Sequence, residues 1–88
     1  MKKRKTVFIP NFLEDLEYWV STDRKVVVRI FKLIEAIARD PFVGIGKPKA
    51  LKHQENTYWS RHIDDEHRLV YEVSDTQIEF RQARYHYK

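Results

Sequence analysis

Two residues in the second half of the chain could do acid–base and phosphate chemistry, namely His86 and Arg68. Imidazole is the side chain that gives or takes a proton near neutrality. A guanidinium offers phosphate oxygens a planar fork of donors and stays charged throughout. Around them the basic residues cluster: past Lys47 come Lys49, Lys52, Arg61, Arg68, Arg81 and Arg84, interleaved with Tyr58, Trp59, Tyr71, Tyr85 and Tyr87. Arginines with aromatics are what phosphates and stacked bases need. Plainer explanations stand beside each. His86 lies next to the end of the given sequence, where a frayed, solvated residue is ordinary. Arg68 could be an exposed strand arginine paired with Glu72 or Asp65, and Lys52, Arg61 and Arg84 could be solvated charges.

Composition narrows the field. Eighty-eight residues suit one domain, expected over 1–88. Apolar residues make up 42% and charged residues 34%, within the range of globular proteins, and no run approaches a membrane span. A formal charge of +4 and a pI near 9.4 favour a polyanionic partner. The basic start Met1-Lys2-Lys3-Arg4-Lys5 precedes only Thr6-Val7-Phe8-Ile9 before Pro10, too short an apolar core for export. With no cysteine there is no disulfide framework, and a cytoplasmic protein is expected. His53, His62 and His67 show no metal-binding spacing, so neither a metal nor a cofactor is expected. Gly44-Ile45-Gly46 lacks the spacing of a P-loop or a dinucleotide site.

The elements that must position these groups follow from periodicity. Thr6 to Ile9 reads as a strand stopped by Pro10 and Asn11. Phe12, Leu13, Leu16, Trp19 and Val20 then recur at helical spacing, with acidic residues early in the helix to suit its positive end. Ser21 or Thr22 is the expected N-cap of a second helix. That helix carries Val27, Ile30, Phe31, Ile34, Ile37 and Ala38 on one stripe and ends before Asp40-Pro41, because a residue preceding proline avoids helical angles. Beyond the glycine loop the chain reads as strands: one beginning at Leu51, one over Tyr58 to Ile63, then Arg68 to Val73 and Ile78 to Phe80. This order implies an α+β domain with both helices on one face of a mainly antiparallel sheet. Parity turns Leu69, Tyr71 and Val73 toward the helices and Arg68 to the open face.

Several blocks carry a family resemblance. Gly44-Ile45-Gly46-Lys47-Pro48, Leu51-Lys52-His53, Tyr58-Trp59-Ser60-Arg61, Asp65-Glu66-His67-Arg68-Leu69-Val70-Tyr71 and Arg84-Tyr85-His86-Tyr87 are similar, in this order, to the second half of YoeB/Txe toxins of the RelE/ParE superfamily. The first half matches only in pattern, through Tyr18-Trp19 and the two helices. The resemblance implies a RelE-like fold and a ribosome-dependent endonuclease that cuts messenger RNA in the A site. The RNA's own 2′-hydroxyl attacks the adjacent phosphate, leaving a cyclic phosphate and a free 5′-hydroxyl. That reaction needs a base, an acid and cations.

On this resemblance His86 is the proton-handling residue, Tyr87 lies at the scissile phosphate and Arg68 stabilises it. Lys47, Lys52, Arg61 and Arg84 grip substrate or ribosomal phosphates, and His67 is structural. The implied partners are an acidic antitoxin of the YefM/Axe type, the ribosome and its message, and a second copy in a homodimer. One position departs: Lys49 stands where the family carries the glutamate proposed as its general base. Either Lys49 serves as a base itself, or His86 does the proton work alone, or cleavage is impaired and the chain is a binding module for ribosome or antitoxin. A ParE-like gyrase poison is a further alternative, against which the set Arg68, His86 and Tyr87 counts.

Overall fold

The computed structural model describes residues 4–51 and 57–85. Strand β1 covers Lys5–Phe8, helix α1 Pro10–Thr22 and helix α2 Arg24–Arg39. Four strands follow: β2 Lys49–Ala50, β3 Tyr58–His62, β4 Arg68–Val73 and β5 Gln77–Gln82. The sheet order is β1-β5-β4-β3-β2. Only the β1–β5 pairing is parallel, as a strand returning through two helices allows, while the short turns between β3, β4 and β5 produce antiparallel neighbours. The α+β expectation therefore holds.

The two helices bury Phe12, Trp19, Ile30, Leu33 and Ile37 against Leu69, Tyr71, Val73, Ile78 and Phe80 of the sheet. Phe8 stacks on Phe80 at 5.0 Å between ring centroids and so ties the edge strand to this core. The alternation read for β4 is correct, with Leu69, Tyr71 and Val73 all buried beneath the helices.

Local details differ from the periodic reading. α1 begins at Pro10, whose fixed φ suits the first helical position, so the proline that ends β1 also starts the helix. Its first turn then holds no acidic residue. Asp15 instead accepts a hydrogen bond from the Ala83 N–H at 2.9 Å. The N-cap of α2 is Asp23, accepting from the Lys25 N–H at 3.0 Å, not Ser21 or Thr22, which remain in α1. Leu33 belongs to the buried stripe of α2, whereas Phe31 is 55% exposed; Val20 of α1 is 52% exposed. These small helices press only a narrow face on the sheet, and the flanks of the apolar stripe stay open. The strand expected from Leu51 lies two residues earlier, with Lys49 opposite Ser60.

Candidate active site

The loop between α2 and β2 is built around a buried cation. Arg61 has no exposed surface. Its Nη2 donates to the carbonyls of Asp40 (2.8 Å) and Val43 (3.3 Å), and its Nη1 donates to that of Ile45 (3.0 Å). Its Nε donates to the Tyr71 hydroxyl (3.1 Å), which donates to the Pro41 carbonyl at 2.6 Å. Burial raises the pKa of the Tyr71 phenol, which holds it in the protonated form that this relay uses. Arg61 is thus corrected from phosphate ligand to structural hub, since every nitrogen of its fork is spent inside the protein. The signal was present in the sequence: Arg61 shares strand parity with Trp59 and Ile63, the inward positions.

Both glycines serve this packing. A Cβ on Gly46 (φ +85°) would stand 2.8 Å from Leu33 Cδ2 and 3.1 Å from Arg61 Cβ, and one on Gly44 (φ +137°) 3.0 Å from Arg61 Nη1. The loop is therefore a backbone wrapped on Arg61. Its end is fixed by the His62 N–H donating to the Gly46 carbonyl at 2.7 Å.

From that anchored end the chain passes through Lys47, in the left-handed region at φ 52°, and delivers Lys49 to the sheet. A cleft of about 470 Å³ opens there, lined by Lys47, Pro48, Lys49, Leu51, Ser60, His62 and Arg68. Register explains the grouping. Lys49 faces Ser60, and His62 faces Arg68, all on the sheet face opposite the helices. Among the described residues Arg68 Nη1, like Arg84 Nε, is buried with no hydrogen-bond partner. An unmet donor of this kind costs roughly 1–3 kcal/mol, so the Arg68 guanidinium, unlike that of Arg61, is not fully spent inside the protein. Partial burial, then Arg68 and Lys47, lower the His62 pKa below its ordinary value, with Asp65 opposing and Arg29 assisting. His62 was not singled out by spacing, because only strand pairing reveals its neighbours.

The C-terminal segment reaches the same edge of the sheet. Ala83 is held by Asp15 and by the Trp19 indole, whose Nε1 donates to its carbonyl at 2.8 Å. The Tyr85 N–H donates to His67 Nδ1 (2.8 Å), and the Tyr85 carbonyl accepts from the Arg68 N–H (3.0 Å). The His67 ring also packs edge-on against Trp19 at 4.8 Å, so His67 is a structural tie. Arg84 lies elsewhere: its guanidinium is 3.4 Å from the Tyr18 ring centroid and 4.6 Å from that of Tyr85, and it lines a separate cleft with Glu14, Asp15 and Glu66. The fold thus groups Lys47, Lys49 and Arg68, and separates Arg61 and Arg84 from them. His86, Tyr87 and Lys52 lie outside the described residues. Among the described residues no cluster of three metal-ligating side chains occurs, and no helix is long and apolar enough to cross a membrane.

Residues 8–87 match the family model of the YoeB-like toxin of bacterial type II toxin-antitoxin systems. The chain belongs to this family. Toxin YoeB of Streptomyces coelicolor is 55% identical over 80 residues, 91% of this chain and 95% of that one. The solved YoeB/ParE toxin from Agrobacterium tumefaciens superposes with a TM-score of 0.87 at 44% identity, covering 94% of this chain and 99% of that one. YoeB of Staphylococcus aureus has been solved as a dimer (TM-score 0.86, 41% identity, 97% and 99% covered). It is also known in complex with YefM (0.81, 40%, 96% and 98%). More distant structures, such as YafQ from Escherichia coli at 16% identity and a TM-score of 0.75, share the fold. As a YoeB-family chain it keeps the α+β architecture of these relatives; its cleft lies at the turn end of the β3–β4 hairpin.

Proposed function

We propose that this chain is a cytoplasmic toxin that cuts messenger RNA on the ribosome and is silenced by an acidic antitoxin of the YefM type. The observation that carries the reading is the gathering of Arg68, Lys47 and Lys49 around one cleft, with no carboxylate among its lining residues. That arrangement suits a phosphate whose charge grows as the 2′-oxygen attacks. Lys49 acts as a further cation at this phosphate. Tyr85 is tied through its carbonyl to the Arg68 backbone, and His86 and Tyr87 follow it directly in the chain. His86 serves as the acid for the departing 5′-oxygen, with Tyr87 at the phosphate. Lys52 adds to the grip on RNA, and Arg84 contributes from its separate cleft. The family membership and the YoeB–YefM complex of the S. aureus relative support the antitoxin as partner, and that relative's dimer supports a homodimer here.

The free protein brings little proton-transfer apparatus, and positioning by the ribosome is worth several kcal/mol. Primer extension on a message translated in a cell-free system with purified protein will show new stops inside codons. The same RNA without ribosomes will survive. Rapid cutting of naked RNA at equal protein concentration overturns the ribosome requirement. A second reading, a binding module without cleavage, is favoured by Lys49, because a lysine ammonium has no lone pair with which to replace the family's carboxylate. It predicts ribosome association with no new stops.

Association will also be salt-dependent. Each cation that meets a phosphate releases counterions, so log affinity falls by roughly 0.9 or less per contact for each log unit of salt. Lys47, Lys49 and Arg68 together will give a slope of about two to three. Flat affinity across that range would point to ribosomal protein as the main contact.

A further inference from the structure

The cleft holds one titratable side chain that the reading above leaves idle. His62 ends β3 directly opposite Arg68, where cross-strand neighbours have Cβ atoms about 5 Å apart. Its backbone is pinned on both sides: the N–H donates to the Gly46 carbonyl (2.7 Å), and the carbonyl accepts from Arg29 Nη2 (3.1 Å). Among the described residues, nothing hydrogen-bonds the imidazole nitrogens. The ring is thus carried on a fixed base into the cleft that Arg68 also lines. None of the other lining residues is a carboxylate.

We propose that His62 is the general base of this site, taking the proton of the 2′-hydroxyl that attacks the phosphate held by Arg68. The assignment rests on the endonuclease reading and deepens it. An imidazole nitrogen accepts the 2′-hydroxyl proton as the 2′-oxygen bonds to phosphorus. The bond from phosphorus to the 5′-oxygen breaks, and that oxygen leaves with a proton from His86. The products are a 2′,3′-cyclic phosphate and a 5′-hydroxyl, with His62 protonated and His86 deprotonated until solvent exchange resets both. Nothing is oxidised or reduced.

The electrostatics favour this role. Partial burial lowers the His62 pKa first, Arg68, Lys47 and Arg29 add to it, Asp65 opposes them, and Lys49 is a further positive charge on the cleft wall. The ring is therefore neutral, with a free lone pair, at pH 7. A neutral base among cations also explains how a site with Lys49 in place of the family's glutamate works at all. The cations stabilise the phosphate while the acceptor is a group that need not be anionic.

The test is single-turnover cleavage of a defined message on programmed ribosomes by the full chain, measured between about pH 5 and 8. For the wild type, kcat/KM will follow a bell: it rises with pH through a midpoint below the ordinary histidine value, because the base must be deprotonated, and falls again once His86, the acid, has lost its proton. His62→Gln keeps size and hydrogen bonding but cannot take a proton. It will cut roughly 10²–10⁴-fold more slowly and lose the rising limb, with ribosome affinity and melting temperature retained. If His62→Gln cuts within about threefold of wild type on an unchanged profile, this assignment falls and the endonuclease reading stands. A loss that comes only through weaker ribosome binding, with the limb preserved, overturns it as well. Wild-type protein that leaves the message intact overturns both.

Discussion

Replacing Arg61 with alanine will unfold the protein at a far lower temperature than wild type. The change strips the donors from the carbonyls of Asp40, Val43 and Ile45 and from the Tyr71 hydroxyl. It also opens a void the size of the largest fully buried side chain among the described residues. Each orphaned acceptor costs roughly 1–3 kcal/mol, although water entering the void will satisfy some of them. The lost hydrogen bonds and the lost packing together will cost about 3–5 kcal/mol. At about 4–8 °C per kcal/mol for a domain of this size, the midpoint will fall by on the order of 15–30 °C. Arg61→Lys will recover little, because one ammonium cannot reach three carbonyls and a phenol in a fork. Thermal melts followed by circular dichroism decide this. A variant that melts like wild type yet no longer binds RNA would restore Arg61 to the phosphate ligands.

Arg68→Ala will do the reverse. It will remove cleavage by roughly 10²–10³-fold or more, as losing one preorganised donor to a developing oxyanion does. Stability will hold or rise, by up to roughly 1–3 kcal/mol, because an unmet buried donor leaves with the side chain. Arg68 makes no side-chain hydrogen bond through Nη1, and the two ion pairs of this face between strand residues join Arg81 to Glu72 and Glu79, leaving Arg68 out. Glu72, which the sequence offered as a partner for Arg68, is thus engaged by another arginine. Translation-coupled cleavage and a melting curve on the same preparation measure both effects. A fall of more than a few degrees in the midpoint would make Arg68 a structural residue. The two arginines, seven residues apart and both read at first as phosphate contacts, are expected to separate cleanly into one effect each.

Their separation shows how much was legible in advance. Alternation along β4 put Leu69, Tyr71 and Val73 under the helices and left Arg68 on the open face, as observed. The same alternation along β3 turns Arg61 inward with Trp59 and Ile63, although its charge points to solvent. The preference of charged residues for water is an average over sites. It yields where enough fixed acceptors meet the cation, and here the glycine loop supplies three carbonyls. His62 went unmarked for a different reason. Its relation to Arg68, Lys47 and Lys49 depends on pairings among β2, β3 and β4, and no spacing along the chain encodes them.

The residues alone determined the order of elements, the end of α2 at Asp40-Pro41, the inward face of β4 and, through a set of ordered motifs, the family. These are consequences of local backbone preference and of period-two or period-3.6 burial, both of which act over a few neighbouring residues. The tertiary structure decided which cations are free to meet a phosphate. Arg61 is consumed by a loop sixteen to twenty-one residues away in the chain, Arg84 is stacked on Tyr18 of α1 at a separate cleft, and Arg68 lines one cleft with Lys49 and His62. A side chain's availability depends on which acceptors the rest of the fold brings within hydrogen-bond reach, about 3 Å, and that reach has no counterpart along the sequence.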